Sequence, residues 1–259
     1  MDQFGICTLS VIPQRSGPSH TAGQVSQLLF GDAFRIIEKF REWIHIKTLA
    51  DDYTGWIHEK QCTPAEEDLS DLAPVYPVSL DLLSWIRDLH GNIRFPVFCG
   101  SAFRGLNNNT LRLAGKDYVT EGKTQDPSTI RNKRSFISFM ARPFLNTPYA
   151  WGGKTPAGID CSGLTQLVFR IAGIPLPRDA QRQAEMGETI HFSGKALPGD
   201  LAFFDTKGGR ITHTGIILEN NKIIHASGKT RIDSLDHNGI YNEETGEYSH
   251  RLRIIKRIL

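Results

Sequence analysis

The spacing of apolar residues changes near residue 130 of this 259-residue chain. Before that point, short apolar–polar alternations are separated by glycine and proline turns, the usual pattern of short β-strands. After it, apolar residues recur at helical spacing in two segments, and further alternating segments follow. The first part therefore predicts one or two small β-barrels, and the second part predicts an α+β domain.

Alternating segments fall into two groups in the first part of the chain. They are Cys7–Ile12, Phe34–Phe40, Trp43–Lys47 and Tyr53–Ile57, then Pro96–Phe98, Leu111–Leu113 and Lys116–Val119. An acidic, proline-marked connector at Thr63–Asp68 separates the groups, and the polar segment Thr124–Arg134 follows the second. These boundaries predict domains at residues 1–65, 66–128 and 129–259.

Two helices are expected at the start of the third domain. Phe136, Phe139, Met140 and Phe144 predict the buried face of the first. The second should run from Cys161 to about Ala172, with Asp160 as its N-cap and Gly173 at its end. Strands are expected at Asp200–Phe204, Ile211–Leu218, Lys222–Ala226 and Arg251–Ile258.

Cys161 occupies the first turn of the second predicted helix. A catalytic cysteine reacts as the thiolate, so it needs a lowered pKa and a nearby base. Unpaired amides and the helix dipole favour a negative sulfur at a helix N-terminus, and the same amides can hold an oxyanion. A lone cysteine is more often a small buried hydrophobic residue, so its position alone leaves both interpretations open.

Two histidines are candidates for the base and its orienting group, although each could also be an ordinary strand residue whose ring is satisfied by its neighbours. His213 and His225 lie in neighbouring predicted strands, and a base of this kind needs a third group to fix its tautomer. Side chains alternate between the faces of a strand. A turn centred on Glu219 would place the two histidines opposite each other, whereas a two-residue Asn220-Asn221 turn would put them on opposite faces. The triad is predicted to require the first register.

Composition narrows the classes of function. The net charge is +2 and the basic residues are scattered, so no nucleic-acid surface is expected, and no apolar run is long enough to span a membrane. The first four residues show no signal peptide, which predicts a cytoplasmic location, or a periplasmic or secreted one if a leader has been removed. The four cysteines form no close pair and are expected to be reduced. No cofactor or metal is expected, and oligomeric state is left open.

The order of motifs resembles the NlpC/p60 cysteine peptidases. The matching segments are Pro148–Gly153, Asp160–Leu164, Leu176–Asp179, Leu197–Phe204, Thr212–Ile216 and Ile224–Ala226. The segments Gln27–Asp32, Glu42–Ile46 and Asp51–Ile57 look like a bacterial SH3-like domain. The resemblance implies a papain-like catalytic domain after one or two SH3-like barrels, with Cys161, His213 and His225 as the catalytic residues.

The resemblance also implies a substrate. Family members cleave peptidoglycan peptides, commonly between γ-linked D-glutamate and a diamino acid such as lysine or meso-diaminopimelate. Relatives with preceding SH3-like domains prefer a free N-terminal L-alanine, and their substrate-lining positions match Tyr149, Asp160, Ser162, Asp179 and Tyr53. A carboxylate such as Asp160 can pair with the substrate ammonium group.

Expectations also concern two further positions. Gly23 stands where those relatives often carry an amine-binding glutamate. Trp151, which lies next to the substrate-lining motif, is expected to pack in the core.

Rival functions come from different classes. A zinc amidase could use His213, His225 and Cys161 or an aspartate as metal ligands. A wall-binding protein could rely on the SH3-like modules beside an inert catalytic domain. Within the family, a lipid acyltransferase or a hydrolase of intact wall is a further alternative.

Overall fold

A computed structural model describes residues 3–65, 69, 72, 75–191, 193–205 and 209–259. Residues 66–68 of the acidic connector, and the first two residues that bear on a leader, lie outside this part of the chain. The chain divides into two compact units. The first comprises residues 1–129, 151–156 and 173–175, and the second comprises residues 130–150, 157–172 and 176–259. The domain boundaries at residues 65 and 128 stay predictions.

An antiparallel sheet in the order β3-β2-β6-β5-β4-β1-β7 begins the first unit. Its strands are β1 (Gln3–Ile6), β2 (Val11–Arg15), β3 (Gln24–Leu29), β4 (Ala33–Phe40), β5 (Trp43–Thr48), β6 (Thr54–His58) and β7 (Thr63–Pro64). Inward-facing Ile12, Leu28, Phe34, Ile46 and Ile57 form its core. This arrangement confirms the small barrel predicted from the alternating segments.

A second, four-stranded sheet in the order β10-β9-β12-β11 follows in the same unit, beside the short pair β8-β13. The strands are β8 (Val78–Ser79), β9 (Leu83–Asp88), β10 (Ile93–Phe98), β11 (Thr110–Leu113), β12 (Lys116–Thr120) and β13 (Thr124–Gln125), and β14 (Lys154–Thr155) comes later in the chain. Phe30, which directly follows β3 of the first sheet, packs with Ile86, Val97, Phe103 and Tyr118 of this region, so the two sheets share a core.

The second unit is the α+β domain expected from the sequence. Its helices are α1 (Lys133–Ala141), α2 (Cys161–Ile171) and α3 (Ala180–Gln183). Its strands are β15 (Gly158–Ile159), β16 (Glu188–Ile190), β17 (Leu201–Asp205), β18 (Ile211–Leu218), β19 (Lys222–Ser227), β20 (Lys229–Leu235), β21 (Gly239–Asn242) and β22 (Glu247–Arg257). The main sheet has the order β16-β22-β17-β18-β19-β20-β21, and β22 also pairs with β21, which closes the sheet on itself.

Helix α2 confirms the capping prediction. The Asp160 side chain accepts a hydrogen bond from the Gly163 N–H at 2.7 Å, which satisfies one of the unpaired amides of the first turn. Gly173 follows the helix with a φ of +73°, a conformation that suits glycine. Leu164, Leu167 and Val168 are fully buried, so this helix is anchored along its apolar stripe.

Two predictions about local structure were wrong. Residues 7–10 form a turn between β1 and β2 rather than part of a single strand over Cys7–Ile12. In α1, Phe139 is 66% exposed, and the buried face is Ile137, Met140 and Ala141, continued by Phe144 of the following 3-10 turn. These four positions have the spacing i, i+3, i+4 and i+7, so they form a helical stripe that excludes Phe139.

Among the described residues, no helix combines enough length with enough apolar character to cross a lipid bilayer. The cytoplasmic location stays a prediction.

Candidate active site

Cys161 begins α2 and lies against β18. Its sulfur is 4.0 Å from the Thr212 carbonyl oxygen, and the N–H groups of Thr214 and Ser162 point towards it. Backbone atoms on both sides of His213 therefore contact the Cys161 sulfur. The thiol belongs to a residue that is only 7% exposed.

The Cys161 thiol is neutral in the resting site. Burial raises the pKa of the Cys161 thiol to about 11, and the Asp160 charge acts in the same direction. The amides of Thr214 and Ser162 and the Arg178 guanidinium oppose this rise without overcoming it. The Ser162 amide at the start of α2 lowers this pKa, as the sequence analysis expected, but desolvation of the thiolate outweighs that effect, so the net shift is upward.

His213 and His225 meet on one face of the sheet. The Nε2 of His213 lies 2.8 Å from the Nδ1 of His225, within hydrogen-bond distance, and both residues are buried. The ladder pairs Gly215 with His225, so the two histidines are diagonal neighbours rather than directly opposite each other. Gly215 allows this close approach, because a Cβ there would lie 2.9 Å from the Cβ of His225.

The connection between β18 and β19 corrects the register prediction. Asn220 and Asn221 both have positive φ, and the Lys222 N–H donates to the Glu219 carbonyl across them. In the ladder, however, Lys222 pairs with Leu218, so Glu219 is an extra residue. This shifts the pairing by one residue relative to a two-residue turn, so His213 and His225 lie on the same face of the sheet. The register centred on Glu219 is therefore not required, because any shift by an even number of residues has the same effect.

Two residues that the sequence analysis missed extend the histidine pair. The Nε2 of His225 is 2.9 Å from Oδ2 of Asp233, which is 3% exposed on β20. Arg231, directly opposite His225 in the ladder, donates to both oxygens of Asp233 at 2.6 and 2.9 Å. A strand predicted over residues 229–235 would have placed both side chains on the histidine face, since they are two positions apart.

His250 on β22 is a third histidine that the sequence analysis missed. Its ring stacks on His213 with 4.0 Å between centroids and meets His225 edge-on at 5.7 Å. One ring nitrogen from each of the three histidines lies within 4.8 Å of the other two. Burial and the neighbouring His225 lower the pKa of His250 to about 4, and burial lowers the pKa of His213 well below 6.5. Both rings are therefore neutral at neutral pH.

Asp160 and Ser162 form a buried cluster with Arg178 beside the nucleophile. Arg178 is 2% exposed and donates to both oxygens of Asp160, at 3.0 and 2.6 Å. The same guanidinium donates to the Ser162 hydroxyl at 2.8 Å. The Asp160 carboxylate thus caps α2 and pairs with an arginine of its own chain.

The remaining predicted site residues have different surroundings. Burial raises the pKa of Tyr149 to about 12, and the nearby Cys161 and Asp160 contribute to this rise, so Tyr149 belongs to the nucleophile's neighbourhood. Asp179 is exposed at the N-cap of α3. Tyr53 is half-buried in the first unit, just before β6. The substrate-binding roles of these residues stay predictions.

Trp151 is 71% exposed, so the prediction that it packs in the core was wrong. Within the first unit, its carbonyl accepts a hydrogen bond from the Gln24 side chain. The adjacent Gly152 has a φ of +73°, and a Cβ at that position would lie 2.9 Å from the Gln24 backbone. This tight turn leaves the indole outside the core.

Comparison with known proteins identifies two domains. Residues 146–248 match the NlpC/P60 family, and residues 15–61 match the bacterial dipeptidyl-peptidase Sh3 domain. The chain therefore carries an NlpC/P60 catalytic fold preceded by an SH3-like domain, as the motifs predicted.

Particular relatives resemble the catalytic region. The bifunctional muramidase/DL-endopeptidase CwlT of Bacillus subtilis is 49% identical over 114 residues, which is 41% of this chain and 34% of the relative. The probable endopeptidase p60 of Listeria monocytogenes is 39% identical over 108 residues, 42% of this chain and 21% of the relative. The probable endopeptidase NlpC of Escherichia coli is 45% identical over 83 residues, 31% of this chain and 53% of the relative. The chain thus spans about half or less of each relative's length.

Solved structures extend the likeness of fold to the whole chain. A crystal structure of an NlpC/P60 family protein from Bacillus cereus covers 99% of both chains with a TM-score of 0.80 at 18% identity. An NlpC/P60 endopeptidase from Photobacterium damselae covers 97% of this chain and 70% of its own length, with a TM-score of 0.68 at 17% identity. At this identity the likeness concerns the fold alone.

Proposed function

We propose that this protein is a cysteine peptidase that hydrolyses the bond between γ-D-glutamate and a diamino acid in peptidoglycan peptides. The observation that carries the proposal is the 2.8 Å contact between His213 and His225. His213 belongs to β18, the strand whose backbone contacts the Cys161 sulfur. The contact supplies a base and its orienting group beside a nucleophile at a helix N-terminus. The peptidase names of the relatives support the same class of reaction.

The reaction starts from a neutral thiol and a neutral imidazole. The Cys161 sulfur attacks the γ-carbonyl carbon while its proton passes to His213, which forms the tetrahedral intermediate. Amides at the N-terminus of α2 stabilise the oxyanion. The C–N bond then breaks as His213 returns the proton to the leaving amine. Water attacks the thioester with its proton going to His213, and the released sulfur recovers that proton.

Two observations support the proposed substrate. The SH3 match is to a domain described from bacterial dipeptidyl-peptidases, which agrees with release of an L-alanyl-D-glutamate dipeptide. CwlT is named a DL-endopeptidase, which agrees with cleavage after a D-residue. Tyr149 and Ser162 both interact with Cys161, which supports the proposal that they contact a bound peptide. Asp160 would reach a substrate ammonium only while sharing its charge with Arg178.

A zinc amidase is the second candidate, because the nitrogens of His213, His225 and His250 converge. However, Nδ1 of His225 already contacts His213 and its Nε2 already contacts Asp233. A metal bound to His225 would have to break one of these contacts. Peptidase activity should therefore be lost with iodoacetamide and survive a chelator. Loss with the chelator, and survival after alkylation, would favour the metal enzyme.

Incubation with L-Ala-γ-D-Glu-L-Lys, its diaminopimelate analogue and N-acetylated versions of both tests the reaction. Mass spectrometry should detect L-Ala-D-Glu and the free diamino acid with the wild type and neither product with Cys161→Ala. Products released equally by the variant would contradict the cysteine mechanism. Binding of wall fragments by both proteins without any cleavage would favour the wall-binding protein.

A further inference from the structure

One buried ionisable residue has no part in the proposed reaction. Asp233 is 3% exposed, and it accepts hydrogen bonds from His225 on one side and from Arg231 on the other. Burial opposes its ionisation, but these hydrogen bonds hold the pKa of the carboxyl below its ordinary value. Asp233 is therefore a carboxylate, which can only accept hydrogen bonds.

We infer that Asp233 is a positioning residue that fixes the tautomer of the base His213 by acting through His225. Because the Asp233 carboxylate accepts from Nε2 of His225, that nitrogen must carry the proton. A neutral His225 then has its lone pair on Nδ1 and accepts a hydrogen bond from Nε2 of His213. A neutral His213 in turn has its lone pair on Nδ1, which is the nitrogen left to take a proton from the thiol.

Arg231 holds the carboxylate in the orientation that this relay needs. Its Nε and Nη2 donate to Oδ2 and Oδ1 of Asp233, and Oδ2 is also the oxygen that His225 contacts. Arg231 is itself fixed by Asn242 at 2.8 Å and Glu244 at 3.0 Å. A planar guanidinium bound through two nitrogens prevents rotation of the carboxylate. The lone pair of His225 therefore stays directed at His213.

Asp200 offers a matched control. It is a buried carboxylate in the same unit, and Arg257 donates to its two oxygens at 3.0 and 2.7 Å, while Arg134 adds a third bond at 3.0 Å. These contacts resemble those of Asp233, except that no histidine among the described residues takes part. Asp200→Asn should therefore lower stability without changing the tautomer of His213.

The tautomer is measured directly by the nitrogen-15 chemical shifts of the histidine rings in the full-length protein. In the wild type, His213 should have a protonated Nε2 and an unprotonated Nδ1. In Asp233→Leu, which removes the acceptor, and in Asp233→Asn, which weakens it, the fraction of His213 with a protonated Nδ1 should rise. Both shifts unchanged in both variants would overturn the inference.

Kinetics give the second readout. This readout rests on the proposed function. The kcat for the tripeptide should fall about 10- to 100-fold in Asp233→Asn, while KM changes less than about threefold. Asp200→Asn should retain the wild-type kcat per folded molecule. An equal loss of kcat in both variants would assign Asp233 a purely structural role.

A wild type that leaves the tripeptide intact would refute the proposed substrate alone. The ring shifts and the rate of Cys161 alkylation by iodoacetamide would still test Asp233. That rate should fall in Asp233→Asn and not in Asp200→Asn, and an unchanged rate in Asp233→Asn would count against the inference.

Discussion

Arg178 should be essential to stability, because its removal leaves the buried Asp160 carboxylate without its compensating positive charge. Arg178 is 2% exposed, and the carboxylate it pairs with is also buried. Breaking a buried ion pair by removing one partner costs about 3–5 kcal/mol, since the remaining charge is uncompensated. We therefore expect Arg178→Met to lower the free energy of unfolding by that amount. For a chain of this size, this corresponds to a fall in melting temperature of roughly 6–20 °C.

Thermal and urea unfolding followed by circular dichroism measure this loss, and Arg142→Met provides the matched control. Arg142 forms a 3.0 Å pair with Glu219 in which both side chains are about half exposed. Exposed pairs of this kind contribute at most about 1 kcal/mol. The double variant Asp160→Asn/Arg178→Met should recover part of the stability, because asparagine also caps helices and no buried charge is left.

The reasoning would be refuted if Arg178→Met lost no more stability than Arg142→Met. The reasoning would also fail if adding Asp160→Asn to Arg178→Met lowered the free energy of unfolding as much as Asp160→Asn does in the wild type. In that event the cap alone, rather than the compensated charge, would hold this part of the second unit together.

Two further predictions have defined outcomes. First, kcat/KM should stay level from pH 8 to about 6.5 and fall only at lower pH, because the pKa of the base His213 lies well below 6.5; an acid limb centred above pH 6.5 would contradict this. Second, the pKa of His250 is about 4 in the folded protein and near 6.5 when unfolded, so the unfolded chain binds the proton first and stability is lost as pH falls from 6.5 towards 4. In urea unfolding, His250→Asn should reduce that loss by about 1–2 kcal/mol, after allowing for the ring's remaining contact with solvent; identical pH dependence in both proteins would count against it.

Local signals in the sequence were sufficient for the nucleophile's helix. Asp160 before an apolar stripe and Gly173 after it define both ends of α2, and these contacts span only a few residues. The strand from Ile211 to Leu218 was likewise predicted with its observed bounds. Capping and alternation depend on near neighbours in the chain, so they can be predicted without knowledge of the fold.

Register and burial were less accessible to sequence reasoning. Whether His213 and His225 share a face depends on one extra residue, Glu219, beside a turn whose type the sequence suggests but whose pairing it leaves open. The raised pKa of Cys161 depends on how deeply α2 packs against β18, which no local motif reports. His250 lies on β22, 25 residues after His225, and it is brought to the site by the pairing of β22 with β17 and β21.

The Asp160–Arg178 pair restricts how this protein can be engineered. The Asp160 carboxylate caps the N-terminus of the helix that carries the nucleophile, neutralises the buried Arg178 and is the proposed partner of a substrate amine. A library that varies this position to change substrate preference would therefore lose most members through misfolding before any new preference could be detected. Exposed Asp179 carries no such burden, so directed evolution of specificity should begin there.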